Sequence, residues 1–165
     1  MLINAVDTRI DYHDLSFKIG KCEKPTSLGQ YFPRTNTIII SDLLEKTVAH
    51  EIGHYLDYKW ARQYGSNYTP LSDSSYVAIP EGHQEWAKKY RTFVHNLMDK
   101  SDIISEYTQK PSEVFARFVA KFSNWCSGNR YSSHERSDKF SVQDYMVFVK
   151  LLQEKSYLDA KFPIS

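Results

Sequence analysis

From Leu15 to Ile40 the hydrophobic positions alternate or cluster in short runs. LSFKIG alternates, KCEKPTSLGQ interposes turn residues, and TNTIIIS is a β-branched run. Period-two alternation and β-branched runs bounded by Gly, Pro, Ser and Asn predict strands, hence a small N-terminal sheet. The period then changes. In DLLEKTVAHEIGHYLDYKWARQYG, Val48, Ile52, Tyr55, Leu56 and Lys59 recur mostly on one helical face, and His50, His54, Asp57 and Tyr58 on another. Asp42 and Glu45 stand at capping-box spacing and Gly65 closes the run, which predicts a helix of roughly twenty residues.

GSNYTPLSDSSYVAIP, residues 65–80, lacks helical periodicity and is rich in Ser, Asn, Gly and Pro, so it is a predicted long loop. PEGHQEWAKKYRTFVHNLMDK predicts a second helix begun by Pro80, and PSEVFARFVAKFSNWC a third with Pro111 in its first turn. SGNRYSSHERSDKF is a second loop. The last helix starts at Ser141, with Asp144 three residues on and an apolar stripe of Tyr145, Phe148, Val149 and Leu152. Strands followed by helices, with no repeat or linker, give an α+β fold: a small sheet and a helical half in a single domain over residues 1–165.

Composition narrows the function classes. A formal charge of +1 gives no reason to expect phosphate-backbone binding, so nucleic acid is not the expected partner. No apolar run approaches the ~20 residues of a membrane helix, and MLINAVDTRIDYHD lacks the basic start and apolar run of a signal peptide. The expected location is the cytoplasm as synthesised; export by a route that needs no signal would leave no trace here. Cys22 and Cys126 form no framework or CxxC spacing, and are expected as free thiols.

The chemistry lies in HEIGH, residues 50–54. Side chains four apart on a helix stand one above the other, so His50 and His54 can offer imidazole nitrogens to one ion. Glu51 points about 100° aside, where it can act as general base on a water activated by zinc. HExxH on a helix is the spacing of zinc metallopeptidases. Gly53 costs the helix about 1 kcal/mol relative to Ala, so a packing reason is expected for it. A catalytic zinc wants a third protein ligand. Asp57 lies ~10.5 Å of helix rise beyond His50, too far to share the ion, and is expected instead to accept a hydrogen bond from a ligand histidine and orient it. A third histidine six residues after His54 is absent, Trp60 standing there. The third ligand is therefore sought on a later helix, among Glu81, Glu85, Glu106 and Glu113. Such a donor set does not select zinc alone among divalent ions.

HEIGHYLD followed by SEVFARFVAKF resembles the zincins related to the catalytic domain of anthrax lethal factor, and is similar to metallopeptidases ascribed to phages and plasmids. The resemblance covers roughly residues 29–125, with two motifs and little between them. It implies a zincin-like fold, one Zn2+ per chain, and Glu113 as third ligand, with Phe115 and Ala116 following. Ala116 then lets its helix approach closely while Phe115, Phe118, Val119 and Phe122 fill the core. The resemblance further implies a tyrosine ahead of that glutamate that steadies the oxyanion, for which Tyr107 is the nearest match. It also implies that the strand before the HExxH helix, Thr37, Ile38, Ile39 and Ile40, forms the sheet edge along which a peptide lies. Of the other histidines, His83 and His95 are expected to pack or face solvent, and Arg117 to pair with a carboxylate near the site or with a substrate terminus. The expected function is a zinc-dependent endopeptidase acting on a protein or peptide. The alternative is a non-catalytic zincin-fold binding or regulatory module, of the kind a mobile element could encode.

Overall fold

The computed structural model describes residues 12–24, 26–42, 44–73, 78–101, 109–128 and 138–164. Three strands, β1 (Ser16–Ile19), β2 (Gly29–Phe32) and β3 (Thr37–Ile40), are followed by four helices: α1 (Glu45–Gln63), α2 (Gln84–Met98), α3 (Pro111–Cys126) and α4 (Val142–Lys161). The class is α+β, with the small sheet ahead of the helices as the hydropathy pattern predicts.

The sheet corrects one expectation. Its order is β1-β3-β2, with β1 parallel and β2 antiparallel to β3. β3 is the central strand, so Thr37 to Ile40 have neighbours on both sides and offer no free edge. The β-branched run occupies the centre because it is the most apolar of the three: Ile38 and Ile40 are buried in one core with Ile52, Tyr55 and Leu56 of α1. β1 is exposed throughout, and β2 is the edge strand that lies against α1.

Helix ends follow local chemistry, with two departures. α1 closes on Gly65 at φ +86, and the bonds Gly65 N–H to Arg62 O (3.0 Å) and Ser66 N–H to Ala61 O (2.9 Å) make a Schellman cap. Its start differs: Leu44 is the N-cap without a side-chain bond, because the Asp42 carboxylate accepts from the Leu44 N–H (3.2 Å) in a turn ahead of the helix. α2 starts at Gln84 rather than Pro80, since Gly82 takes φ +94, a left-handed conformation that a helix cannot continue. Pro111 opens α3, and Ser141 with Asp144 forms a reciprocal capping box on α4.

The core is aromatic. Phe115, Phe118 and Phe122 of α3 are fully buried against Phe148 of α4, while Trp86 stacks on Tyr90 and donates its indole N–H to Leu151 O (2.8 Å). His83 is buried as packing: the Phe162 carbonyl can only accept, so Nε2 donates to it (3.0 Å) and Nδ1 faces the Tyr64 hydroxyl (3.2 Å). His95 is exposed. Cys22 and Cys126 are free thiols.

α1 is buried on two sides, by the sheet and by α3. Gly53 has the packing reason expected of it: a Cβ there would stand 2.8 Å from the Ala116 Cα and 3.2 Å from the Val119 Cβ. Gly53→Ala should therefore lower stability by about 1–3 kcal/mol through overpacking, less up to about 1 kcal/mol returned by the better helix former. Urea denaturation reads this, and a variant clearly more stable than wild type would contradict the close contact.

Candidate metal centre

α1 presents His50 and His54 on adjoining turns, with ring centroids 5.1 Å apart. The approach of α3 at Gly53 and Ala116 lays its first turn across them. There Glu113, buried, points one carboxylate oxygen at each ring: Oε2 is 3.2 Å from His50 Nε2, and Oε1 is 3.2 Å from His54 Nε2. Three donor atoms thus lie within 4.8 Å of one another. The arrangement suits a small divalent cation. Two donors on a tetrahedral zinc stand ~3.3 Å apart when each bond is ~2.05 Å, close to the spacing here. The histidine side chains keep 26% and 16% of their surface exposed, which leaves a way in from solvent for a further ligand.

Glu51 lies beside these donors. Residue 51 is buried where α1 meets β2, its side chain packed beside Gly29. The register sets what β2 presents on this side. Ser41 N–H reaches Leu28 O and Gln30 pairs Ile39, so the main-chain groups of Gly29 and Tyr31 point away from β3 toward the outer edge of β2. Gly29 makes the room: a Cβ there would stand 2.8 Å from Thr47 Cγ2 and 3.0 Å from Glu51 Cγ.

The two carboxylates sit in opposed environments. Burial penalises an ionised Glu113, yet its hydrogen bonds and charge contacts with His50 and His54 outweigh that and hold it well below the usual range. For Glu51, burial dominates and, with the charge of Glu113, pushes the pKa up despite both histidines. Burial works against a charged His54, but the hydrogen bond and charge of Glu113 raise it.

Of the carboxylates considered for third ligand, the structure brings Glu113 to the histidines. Glu81 and Glu85 are exposed, Glu85 standing 3.8 Å from Lys89. Glu106 and Tyr107 lie outside the described residues. Arg117 is 3.1 Å from the carboxylate of Asp138. No protein-family model matches the chain, and no curated protein or solved structure matches it either.

Asp57 requires a correction. It is fully buried, and its hydrogen-bond partners are not ligand histidines. Oδ1 accepts from Ser72 N–H (2.9 Å) and the Tyr90 hydroxyl (2.9 Å), and Oδ2 from the Ser72 hydroxyl (2.5 Å). The physical reason is placement: three residues past His54 the side chain leaves the ligand face and meets α2 and the loop after α1. That loop also carries Asp73, of which the sequence shows no sign. Spacing alone ties neither to the site. Gly29 falls among the predicted turn residues of KCEKPTSLGQ, and the structure instead places it in β2.

Burial raises the Asp57 pKa to about 6 in spite of the bonds from Ser72 and Tyr90, against an unfolded value near 3.9. The folded state therefore binds the extra proton between those values, and stability falls as pH rises from ~4 to ~6. Asp57→Asn keeps acceptors for Ser72 and Tyr90 without the charge. Its stability relative to wild type should climb across that window by up to about 3 kcal/mol. Urea titrations at both ends test this; a difference that does not vary with pH would refute it.

Proposed function

We propose that this chain is a zinc-dependent peptidase in which His50, His54 and Glu113 hold the metal and Glu51 is the general base. The observation that carries the reading is the convergence of two imidazole nitrogens and one carboxylate at 3.2 Å contacts, with a second carboxylate of raised pKa beside them. The H-E-x-x-H spacing and the resemblance to lethal-factor-type zincins support it independently.

Zinc in such a site lowers the pKa of a bound water to roughly 7 and polarises the substrate carbonyl. The chain's own residues do the rest. Glu51 takes a proton from the attacking water as the new C–O bond forms. It returns that proton to the departing nitrogen as the C–N bond breaks, ending ionised as it began. The peptide lies along the outer edge of β2, the strand whose outward main-chain groups at Gly29 and Tyr31 flank Glu51. β3, enclosed between its neighbours, cannot take this part.

Glu51→Gln should retain one zinc per chain and lose peptide hydrolysis by at least 100-fold, since positioned acid–base groups contribute about 10²–10⁴. Glu113→Ala and His50→Ala should lose the metal. Elemental analysis with hydrolysis of a denatured-protein or peptide-library substrate separates the outcomes. Full activity in a zinc-loaded Glu51→Gln would sink the mechanism. A wild type that holds zinc and a partner without cleaving it would favour the binding-module reading.

Gly29→Ala forces Glu51 or Thr47 aside. It should lower kcat at least tenfold with zinc retained, a few tenths of an ångström at a catalytic group being enough to cost that much; unchanged kcat would show that Glu51 does not need this seat.

A further inference from the structure

β2 meets α1 at two places. At one, Gly29 lies against Thr47 and Glu51. At the other, two residues along and on the same face, Tyr31 is buried with its ring 6.0 Å from that of Tyr55 and 5.7 Å from that of Tyr58, both on α1. Its hydroxyl enters a chain of hydrogen bonds. Tyr31 Oη donates to Asn36 Oδ1 (2.6 Å), and Arg62, in the last turn of α1, spans the two oxygens. Its Nη1 donates to Tyr31 Oη (3.1 Å) and its Nη2 to Asn36 Oδ1 (3.2 Å). Asn36 Nδ2 donates to the carbonyl (2.8 Å) and the carboxylate (3.0 Å) of Asp14, ahead of β1. Asp14 also accepts from the Tyr55 hydroxyl (2.5 Å), which accepts from Lys59 Nζ (3.1 Å). The Asn36 amide has one orientation that serves both sides, its oxygen facing two donors and its nitrogen two acceptors. Its φ of +51 is a left-handed conformation that Asn adopts more readily than most residues, and it ends the turn between β2 and β3.

We propose that Arg62 and Asn36 are positioning residues for the bound peptide, acting through Tyr31 to hold the outer edge of β2 at a fixed place beside the metal centre. This rests on the reading of the chain as a zinc peptidase whose substrate lies along β2. The Tyr31 side chain is pinned to α1 while its main-chain N–H and C=O face outward, so one residue both fixes the strand and offers it to the peptide. His50, His54 and Arg62 all belong to α1, so the network ties the edge to the helix that carries two of the ligands. An edge held in this way keeps the added strand, and with it the scissile carbonyl, at a set distance from the ion. Main-chain bonds between peptide and β2 are made in the substrate complex and the transition state alike, so loss of their alignment falls on KM more than on kcat.

The test uses the full zinc-loaded chain and the peptide that the wild type cleaves fastest in a defined library, and measures zinc content, kcat and KM. Tyr31→Phe and Arg62→Met should raise KM about 3–10-fold, the equivalent of one well-placed hydrogen bond. They should keep one zinc per chain and a kcat within about twofold of wild type. Asn36→Gly, which accepts the left-handed backbone but makes none of the side-chain bonds, should behave likewise. Arg62→Lys can serve one oxygen at a time and should recover part of the loss. N-methylation of the peptide, one amide at a time, marks those that pair with β2, and the KM penalty at these amides should shrink in Arg62→Met. Ser141→Ala removes the cap of α4, far from β2 in the chain, and should leave both constants unchanged, which separates positioning from a general loss of stability. A wild type with Glu51-dependent cleavage, and KM unchanged in Tyr31→Phe and Arg62→Met, overturns this inference alone. A loss in Ser141→Ala as large, or a fall confined to kcat, also overturns it. A wild type that takes up no zinc, or holds it and cleaves nothing in the library, overturns the peptidase reading and this inference together.

Discussion

The distance between α1 and α3 where Gly53 meets Ala116 sets everything else in the site. Gly53 lies between His50 and His54, and Ala116 lies one turn after Glu113, so the tightest contact of the two helices falls at the level of the three donors. Metal–ligand bonds tolerate deviations of only about 0.2 Å, whereas a methyl group inserted at residue 53 would stand 2.8 Å from a backbone carbon. A shift large enough to relieve that contact exceeds the tolerance of the site. Pressure from the far side holds the helices together: Phe115, Phe118 and Phe122 pack with Phe148, and Phe115 also meets Trp60 and Tyr90. The aromatic richness of the chain is therefore explained by this clamp, with no need of a substrate groove lined by rings.

Asp57 shows the opposite balance. A carboxylate buried this deeply costs stability at neutral pH. What the aspartate supplies is a set of fixed hydrogen bonds to a loop that would otherwise have only weak reason to lie in one place. A group that lowers stability yet determines the position of a neighbouring element is the pattern expected where geometry matters more than folding free energy.

Signals confined to one turn of chain were legible in the sequence, and signals between distant segments were not. Pro111, Gly65, and Ser141 with Asp144 mark helix ends because their chemistry acts within four or five residues. The spacing of His50 and His54 does the same for two of the donors. Asp42 misled because its carboxylate found a nearer amide than the one a capping box would use, and Gly82 because its backbone conformation stopped a helix that Pro80 could have started. Strand order is a non-local property: the apolar character of TIII favours a buried position, but only pairing on both sides makes it the central strand. The burial of Asp57 was hidden for a related reason, since a helix enclosed on two sides has a wider buried arc than one apolar stripe indicates.

The same geometry that gathers three donors also separates two carboxylates into different tasks. Glu113 faces two imidazoles, whose hydrogen bonds and charge hold its pKa low; Glu51 lies beside them against the sheet, where burial raises its pKa. Environments that drive neighbouring titratable groups in opposite directions are how one site obtains both a fixed charge and a proton carrier. Glu51 is also packed against β2, since a Cβ on Gly29 would stand 3.0 Å from its Cγ. In the proposed mechanism, movement of β2 on binding would therefore reach the general base through direct packing.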